Sequence, residues 1–231
     1  MSTDLVKQAT TTILEAIIEQ TFSPAKPLPP EAELAAFLNV SRPTMREAVK
    51  VLSSRGVLKV LHGKGTFVEP RENWTDLETL IWVESHTSTP RELGMRLVQV
   101  RRMIEVGACG LAATNRNSAD IKAMAEHLAD FDVADAADDI DGAVQADLNF
   151  HFDIFRASGN PFFPAIMQPL QDALRSSRYA TTAIPEVRER AQGHHRQILK
   201  AIEKKDENAA KKAMRAHMTQ TQDDIEALPA T

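Results

Sequence analysis

Cysteine and long apolar runs are both scarce in this sequence, and each scarcity excludes a class of protein. Cys109 is the single cysteine in 231 residues, so an internal disulfide and a zinc site built from several thiolates are both excluded. Any metal site must therefore use histidine and carboxylate ligands. No run of about 18 apolar residues is available to span a bilayer, and residues 1–10 contain Asp4 and lack the apolar segment of a signal peptide. We therefore expect a cytoplasmic protein without a membrane partner.

Glycine-rich phosphate loops are absent as well. Neither GxGxxG nor GxxxxGK occurs in the sequence, which removes the two common nucleotide-binding motifs. With 43% apolar and 26% charged residues, the composition is that of a globular protein rather than a disordered or fibrous one. A chain of this length can form two modest domains.

Positive charge is concentrated in the first third of the chain. Residues 1–71 contain nine Lys or Arg and seven Asp or Glu, whereas residues 72–231 contain 18 and 25. Within residues 42–64 there are six Lys or Arg and one Asp or Glu. A basic patch beside an acidic remainder is typical of a protein that binds a polyanion such as nucleic acid. The alternative for this patch is a solvated charged surface.

The first part of the chain has the pattern of a winged helix-turn-helix. Apolar spacing predicts a helix over residues 4–20, and Pro30 opens a second helix after a cluster of prolines. Ser41 can cap a third helix through its hydroxyl, and Gly56 can end that helix. Two short β-prone runs flank the sequence HGKG at residues 62–65, which predicts a hairpin.

This arrangement indicates a DNA-binding surface, because a helix about 10 to 12 Å across fits the major groove. Residues at the start of the recognition helix face base edges in such motifs, and here those residues are Arg42, Thr44 and Arg46. An arginine can contact guanine O6 and N7, and a threonine can reach a phosphate or a thymine methyl. The hairpin residues that would approach the duplex are His62, Gly63 and Lys64. The alternative for any one of these residues is a surface side chain that serves solubility alone.

The same segments resemble the GntR family of bacterial transcription regulators. The similarity lies in PPEAELA at residues 29–35, VSRPTMREA at 40–48 and GKGTFV at 63–68. The resemblance implies DNA contacts through the start of the third helix and through the wing. Ala32 stands where a phosphate-contacting Arg is common in the family, so we expect one phosphate contact fewer in each half-site.

Helical periodicity dominates after residue 70 and predicts an all-α bundle of six or seven helices. The expected fold class is mainly α, with a winged helix-turn-helix domain over residues 1–70, a linker and connecting helix over 71–90, and the bundle over 91–228. Capping boxes are expected at residues 75–78 and 89–92. The apolar stripes predicted to be buried include Leu93, Leu97, Val100, Ile104, Ala108 and Leu111, and also Ile166, Leu170 and Leu174.

Four polar residues interrupt the apolar stripes of the bundle. Asp147 and His151 are four residues apart, so they share one face of a helix. His195 lies one turn before Ile198, and His217 lies within a stripe of Ala and Met residues. A carboxylate and three imidazoles that converge inside a helical bundle can bind a divalent cation. The alternative for each histidine is a hydrogen-bonded core residue, and the sequence leaves both interpretations open.

Residues 91–226 resemble the ligand-binding domain of the FadR subgroup of GntR regulators, the FCD type. The similarity lies in DLNFH at residues 147–151, HRQIL at 195–199 and AMRAHM at 213–218. The resemblance implies a divalent metal, zinc with nickel as the alternative, that helps to hold a small carboxylate effector. The residues that match the metal ligands of this type are Asp147, His151, His195 and His217.

Two further positions follow from this resemblance. Arg101 matches an arginine that faces the effector pocket in the FCD type, and a salt bridge to Glu105 is its alternative role. His194 stands where the pattern commonly has Glu, which leaves a choice between His194 and His195 as the ligand. We choose His195.

Together the resemblances imply a ligand-responsive DNA-binding regulator rather than an enzyme. We expect a homodimer that binds double-stranded operator DNA at an inverted repeat and represses transcription. Residues 73–82 further resemble the subset of regulators that responds to sugar acids, so the expected effector is a small carboxylate such as a sugar acid. Two alternatives stay open: a metal-dependent hydrolase, in which the metal activates water, and a regulator whose metal is purely structural.

Overall fold

The chain divides into two units, Met1–Thr87 and Ser88–Thr231. The structure is a computed structural model, and it describes residues 2–24 and 26–229. Among these residues, no helix is both long enough and apolar enough to cross a membrane. The predicted fold class is confirmed, because a helix-turn-helix with a two-stranded wing is followed by a helical bundle.

The first unit consists of helices and one hairpin. Its elements are α1 (Ser2–Ile18), α2 (Glu31–Phe37), α3 (Arg42–Ser54), β1 (Leu58–Leu61), β2 (Gly65–Val68) and α4 (Leu77–Thr87). The two strands are antiparallel, with Leu58 opposite Val68 and Leu61 opposite Gly65. Apolar side chains from all six elements share one core, so the recognition helix and the wing are fixed on the same support.

The local sequence explains where α3 begins and ends. Ser41 precedes the helix, and its side-chain oxygen accepts a hydrogen bond from the Thr44 backbone N–H at 3.2 Å. This bond satisfies one of the free donors of the first turn. Gly56 follows the helix with φ +76°, and a Cβ at that position would lie 2.5 Å from the Asn73 carbonyl oxygen. The end of α3 therefore requires glycine both for its backbone conformation and for space.

Residues 71–87 pack with the winged unit. Trp74 is buried, and its indole N–H donates to the Glu69 carbonyl at 3.0 Å. Val83 of α4 belongs to the same core. The connecting helix is thus an integral part of the first unit, while the expected domain limits near residues 70 and 90 stay predictions.

Capping side chains open α4 and the first helix of the second unit. Asp76 caps α4, because its Oδ2 accepts from the Thr79 backbone N–H at 2.8 Å and from the Thr79 hydroxyl at 2.6 Å. The predicted capping box that began at Thr75 is therefore wrong by one residue. The box at Thr89 and Glu92 is confirmed, since both of its reciprocal hydrogen bonds are present.

The second unit contains seven α-helices among the residues that the structure describes. They are α5 (Pro90–Asn115), α6 (Ser118–Ala136), α7 (Ile140–Ala157), α8 (Phe162–Met167), α9 (Gln171–Thr182), α10 (Pro185–Glu203) and α11 (Glu207–Glu226). A 3-10 turn at Gln168–Leu170 includes Pro169 and separates α8 from α9, because proline does not fit the interior of a continuous helix. Helix α5 packs against α7, α9, α10 and α11, which places its inner face at the centre of the bundle.

The buried face of α5 differs from the predicted apolar stripe. Val100 and Leu111 are 42% and 39% exposed, whereas Arg101 and Glu105 are buried. A hydropathy pattern predicts that charged residues are exposed to solvent. An Arg and a Glu that bond to each other can nevertheless be buried together, because their charges offset. Ile166 of α8 is likewise 46% exposed rather than buried as predicted.

Candidate functional site

The N-terminal end of α3 presents exposed cationic side chains. Arg42 and Arg46 are exposed, whereas Met45 is fully buried and holds this turn on the core. Thr44 is half-buried, and its hydroxyl lies 2.7 Å from the Ser41 hydroxyl. The structure thus brings the three residues proposed to read DNA to one end of α3, the end that faces base edges in helix-turn-helix proteins.

Arg46 also has a partner within the protein. Its Nε lies 3.3 Å from Glu31 Oε2, and the two side chains are 65% and 38% exposed. An exposed ion pair of this kind contributes little to stability because water screens it. Arg46 can therefore exchange Glu31 for a group on DNA at small cost in free energy.

The wing ends in a three-residue turn, His62, Gly63 and Lys64, and all three residues are exposed. The Lys64 N–H donates to the Leu61 carbonyl at 3.0 Å and closes the turn. Gly63 has φ +71°, and no heavy atom lies within 4 Å of the position that a Cβ would take. The tip is therefore bare backbone flanked by a histidine and a lysine, which allows close approach to a phosphate.

The four polar residues of the bundle meet in its interior. Asp147 and His151 come from α7, His195 from α10 and His217 from α11. Their exposed fractions are 8%, 2%, 0% and 3%. One ligand atom of each residue lies within 4.8 Å of the ligand atoms of the others. The structure therefore brings together the four residues proposed as metal ligands.

The ligand atoms have separations that suit binding to one ion. His195 Nε2 lies 3.2 Å from Asp147 Oδ1 and 3.3 Å from His217 Nε2. His151 Nε2 lies 3.7 Å from Asp147 Oδ1. Ligands about 2.1 Å from a tetrahedral zinc ion lie about 3.4 Å from one another. The residues present therefore fit a divalent ion that accepts imidazole and carboxylate, as zinc and nickel do.

Each of the three imidazoles has an oxygen atom of a neighbouring side chain close to its Nδ1 atom. His151 Nδ1 lies 2.7 Å from Glu105 Oε2. The other two contacts are His195 Nδ1 to Gln192 Oε1 at 3.3 Å and His217 Nδ1 to Gln220 Oε1 at 3.2 Å. A proton on Nδ1 leaves the Nε2 lone pair free, which is the tautomer that a metal requires.

The Gln192 amide has a defined orientation, and this orientation selects the His195 tautomer. Gln192 Nε2 donates to the Leu128 carbonyl and to Asp132 Oδ1, both at 2.8 Å, so its Oε1 faces His195. With Nδ1–H donors on both His195 and His217, their two Nε2 lone pairs face each other at 3.3 Å. Two facing acceptors repel unless a cation lies between them, and this contact is the strongest argument that the cluster fits a metal.

Burial and neighbouring charges set the protonation states of the cluster. Burial lowers the pKa of His151, and burial is also the main cause that lowers the pKa of His217 well below its ordinary value. Burial alone would raise the pKa of the Asp147 carboxyl, but the Arg178 guanidinium holds it well below its usual range. At neutral pH, His151 and His217 are therefore neutral and Asp147 is ionised, as metal binding requires.

Glu105 joins the proposed effector-binding residue to the cluster. Its Oε1 accepts from Arg101 Nε at 2.7 Å, so the salt bridge considered as an alternative for Arg101 is present. Its Oε2 faces His151 Nδ1. Arg101 nevertheless also lines a cavity beside the cluster. The two roles of Arg101 are compatible, and its contact with an effector stays a prediction.

Arg178 and Arg188 are arginines of this site that the sequence patterns did not predict, and Arg178 is the one that contacts the cluster. Arg178 is buried on α9, and its Nε forms an ion pair with Asp147 Oδ2. The available signal was its position: it follows Leu170 and Leu174 at four-residue spacing, so a charged residue continues a buried apolar stripe. A stripe alone does not show which helix faces the opposite charge.

His195, rather than His194, lies in the cluster. His194 is half-buried, and its ring centroid is 6.0 Å from that of His217. His194 thus has a ring contact with one member of the cluster, whereas His195 Nε2 lies close to ligand atoms of both Asp147 and His217. This placement supports the choice of His195 as the proposed ligand.

A cavity of about 40 Å³ adjoins the cluster. Its lining includes Arg101, Asp147, Arg178, Arg188 and His217. At roughly 10–15 Å³ for each water, this volume holds about three water molecules. The lining carries three arginines against two carboxylates, Asp147 and Asp224, and this excess of positive charge suits an anionic group such as a carboxylate.

Two family models match this chain. The model described as "Bacterial regulatory proteins, gntR family" matches residues 5–68, within the winged unit. The model described as "FCD domain" matches residues 96–220, more than half of the chain, within the bundle. The GntR-like motifs between residues 29 and 68 therefore lie within the region that the first model matches. The FCD-like motifs between residues 147 and 218 lie within the region that the second model matches.

Several curated proteins are similar to this chain over most of their length. In Escherichia coli (strain K12), the Galactonate operon transcriptional repressor is 27% identical, with 87% of this chain and 88% of that protein covered. The Uxu operon transcriptional regulator of the same organism is 28% identical, with 89% and 80% covered. The Fatty acid metabolism regulator protein of Erwinia tasmaniensis is 30% identical, with 84% and 79% covered. These relatives are transcriptional regulators, not enzymes, which favours the regulator over the hydrolase.

Comparison with solved structures supports the same fold. Streptococcus agalactiae GntR is 27% identical, with a TM-score of 0.53 and coverage of 94% of this chain and 99% of that one. Lar, which controls the expression of the Listeria monocytogenes agr system, has a TM-score of 0.63 with 97% of each chain covered. Lar is 16% identical, so its similarity shows the fold alone.

We expect His195→Ala to abolish zinc binding and His194→Ala to retain it. His195 faces both Asp147 and His217 with its Nε2, whereas His194 lies outside the cluster. Zinc is titrated by calorimetry into chelator-treated protein, and the melting temperature is recorded with and without the metal. Free zinc at 100 times its Kd should add about 2.7 kcal/mol to the stability of wild type and His194→Ala. Equal binding by His195→Ala, or a loss confined to His194→Ala, would contradict this placement.

The metal-free protein should lose stability as pH falls below about 6.5, the ordinary pKa of histidine. Burial lowers the folded-state pKa of His151 and His217, so below pH about 6.5 the unfolded chain binds protons that the folded chain does not. Each histidine then removes up to about 1.4 kcal/mol of stability per pH unit. Urea unfolding between about pH 7.5 and 5.5 measures this slope, at pH values above the range in which carboxylates titrate. His217→Asn should make the slope shallower, and a flat wild-type profile would refute the argument.

Proposed function

Because the chain belongs to the GntR family of bacterial transcriptional regulators, in its FadR-like subgroup with an FCD domain, we propose that it is a repressor controlled by a small organic acid. The acid binds near a divalent metal, zinc or nickel, whose ligands are Asp147, His151, His195 and His217. The observation that carries this proposal is the convergence of four buried ligand atoms within 4.8 Å, beside a cavity lined by arginines.

The DNA-binding half of the proposal rests on the exposed residues of the winged unit. Arg42, Thr44 and Arg46 contact base edges or phosphates from the start of α3. His62, Gly63 and Lys64 approach the duplex from the wing. Five basic residues between positions 42 and 64 are exposed and neutralise phosphates, so binding weakens as salt increases.

The effector half rests on how the bundle holds its charges. A bound divalent ion would supply positive charge and open coordination positions for a carboxylate. Glu105 orients Arg101 through one oxygen and His151 through the other, at 2.7 Å in each case. Arg101 is thereby held against the cavity with its remaining guanidinium nitrogens available to an anion.

The lining of the cavity favours an acid that carries hydroxyl groups. Thr181, Thr182 and Thr221 all line it, and hydroxyl side chains pair well with the hydroxyls of a sugar acid. One relative is the Galactonate operon transcriptional repressor, which supports a sugar acid as the effector of this protein. The acid controls transcription only if it binds the DNA-bound and free states with different affinities.

The protein acts as a homodimer on an inverted repeat. Two-fold symmetry of the protein matches two-fold symmetry of the operator, and each winged unit binds one half-site. We assign the dimer contact to the exposed face of α5, which carries Val100, Met103 and Leu111 at 42%, 81% and 39% exposure.

This α5 face suits contact with a second copy of itself. Gly107 lies in its middle, and no heavy atom lies within 4 Å of the position that a Cβ would take. Glycine within a helix costs about 1 kcal/mol relative to alanine, and its small size allows close approach of another helix. Val100, Met103, Gly107 and Leu111 form an uncharged stretch of this face, along which two copies can meet without like charges opposite each other.

We expect the double variant Arg42→Ala, Arg46→Ala to lose specific binding to the DNA upstream of its own gene. Each lost base contact removes about 1–3 kcal/mol, so binding should weaken at least about 30-fold. Mobility shift at moderate salt measures the change. A sugar acid that binds the zinc-loaded protein should release wild type from the same DNA.

The matched control is Lys122→Ala, Arg156→Ala, which makes the same charge change in the second unit. It should bind DNA as wild type does, because both side chains are exposed and lie outside the winged unit. Unchanged DNA binding by the Arg42 and Arg46 variant would rule out the proposed recognition surface. If zinc raises stability while no acid changes DNA binding, the metal is structural. The proposal that an organic acid controls DNA binding would then be refuted.

Met103→Asp should weaken the dimer. Two new carboxylates would face each other across the two-fold axis, within the uncharged stretch that Val100, Met103, Gly107 and Leu111 form on α5. Sedimentation equilibrium should show a dimer Kd at least about tenfold higher, since a tenfold change needs only about 1.4 kcal/mol. Val133→Asp is the control, because Val133 is 71% exposed on α6 and lies outside this face. A dimer as tight as wild type in Met103→Asp would place the contact elsewhere.

A further inference from the structure

Arg178 has incomplete hydrogen bonding beside the proposed effector cavity. It is 7% exposed and lines the 40 Å³ cavity together with Arg101 and His217. Its Nε pairs with Asp147 Oδ2, but its Nη1 is buried and has no hydrogen-bond partner among the described residues. A buried guanidinium N–H nearly always has an acceptor, because leaving it unpaired costs free energy. An acceptor from outside the chain is therefore expected at Nη1.

Asp147 is shared between Arg178 and the metal-binding cluster. Its Oδ1 lies 3.2 Å from His195 Nε2 and 3.7 Å from His151 Nε2, whereas its Oδ2 faces Arg178. One carboxylate thus serves as a ligand on one side and as a counter-charge on the other. A cation at Oδ1 takes part of that negative charge, which leaves Arg178 less neutralised than before.

The surroundings of Arg178 do not fully compensate its positive charge. Burial, followed by the positive charge of Arg101, lowers the pKa of Arg178, although Asp147 and Glu105 act in the opposite direction. Glu105 pairs directly with Arg101 and His151. Among the described residues, Asp147 is therefore the one carboxylate in direct contact with Arg178.

We propose that Arg178 binds a carboxylate oxygen of the effector through Nη1, and that metal and effector are coupled through Asp147. This inference rests on the proposed function, because it adds a second residue to the same effector site. By linkage, the metal raises the affinity for the acid by the factor by which the acid raises the affinity for the metal. Arg178 competes with the metal for Asp147 when no acid is present.

The cavity also indicates the class of acid. Its 40 Å³ accommodates a carboxylate and the carbon next to it rather than a whole sugar chain. Thr182 lies one turn after Arg178 on α9, and Thr221 lies one turn after His217 on α11. Neither threonine hydroxyl has a hydrogen bond within the described part of the chain, and both residues line the cavity. The fitting group is a 2-hydroxy carboxylate, with its carboxylate on Arg178 and its hydroxyl on Thr182 or Thr221.

The test compares Arg178→Gln, Arg178→Lys and a control, Arg175→Gln, in the full-length chain. Arg175 lies one turn earlier on α9 and bonds to Gln145 rather than to the cluster. Thermal melting by circular dichroism establishes that each variant is folded. If Arg178→Gln does not fold, Arg178→Lys carries the comparison, because it keeps the positive charge and loses the planar pair of donors.

Zinc alone is titrated first into the chelator-treated proteins. Removal of a positive charge beside the site should tighten zinc binding about tenfold in Arg178→Gln. Arg178→Lys and Arg175→Gln should bind zinc as wild type does. Weaker zinc binding in folded Arg178→Gln would overturn the competition for Asp147.

Sodium L-lactate and sodium D-galactonate are then titrated into the zinc-loaded proteins. For an acid that binds wild type, we expect affinity to fall at least about 30-fold in Arg178→Gln and about tenfold in Arg178→Lys, with Arg175→Gln unchanged. The opposite signs for zinc and acid separate this role from a general structural one, which would weaken both.

Two failures can be told apart. If an acid binds wild type and Arg178→Gln equally well, the assignment of Arg178 is overturned while the proposed function stands. If neither acid binds zinc-loaded wild type, the 2-hydroxy carboxylate class is overturned, and the effector half of the proposed function loses its support.

Discussion

The interior of the bundle depends on one constraint: three imidazoles and a carboxylate can share it only if neighbouring side chains determine where each proton lies. Gln192 and Gln220 each place an amide oxygen within hydrogen-bond distance of a histidine Nδ1, and a Glu105 carboxylate oxygen lies 2.7 Å from the third, His151 Nδ1. Their acceptors turn the Nε2 lone pairs toward a common point. Without these three side chains, the same histidines could hydrogen-bond to one another and close the site. The hydrogen-bonding partners therefore define the centre as much as the four converging residues do.

The winged unit differs from the bundle, because its proposed functional residues are exposed and its core only supports them. Ser41 fixes the first turn of α3, and Gly56 permits the tight exit toward β1. Met45, which is fully buried, sets the rotation of α3 about its axis, so Arg42 and Arg46 face outward. Stability and recognition thus reside on opposite faces of one short helix.

Sequence patterns predict those parts of the molecule that depend on local chemistry. The helix of α3, the wing turn and the capping box at Thr89 all follow from residues within a few positions of one another. The four proposed ligands were found because polar residues interrupt apolar stripes. Arg178 was missed because its partner, Asp147, lies on another helix.

Charge pairing across helices also explains the error on α5. Periodicity assigned Val100 and Leu111 to the core, whereas the buried positions include Arg101 and Glu105. A pattern of hydropathy does not show that two opposite charges lie next to each other in three dimensions. Only the packing of α5 against α7, which brings His151 to Glu105, shows why these charges are buried.

Helix α5 carries Arg101 and Glu105 on its inner face and Met103, between them in sequence, on its outer face. In a two-fold dimer joined along that outer face, the helix that lines one effector pocket is the direct neighbour of the helix that lines the other. A displacement of α5 on occupancy of the first pocket would then alter the affinity of the second. The dimer would respond to the acid cooperatively, with a sigmoidal dose dependence whose steepness reflects the rigidity of α5.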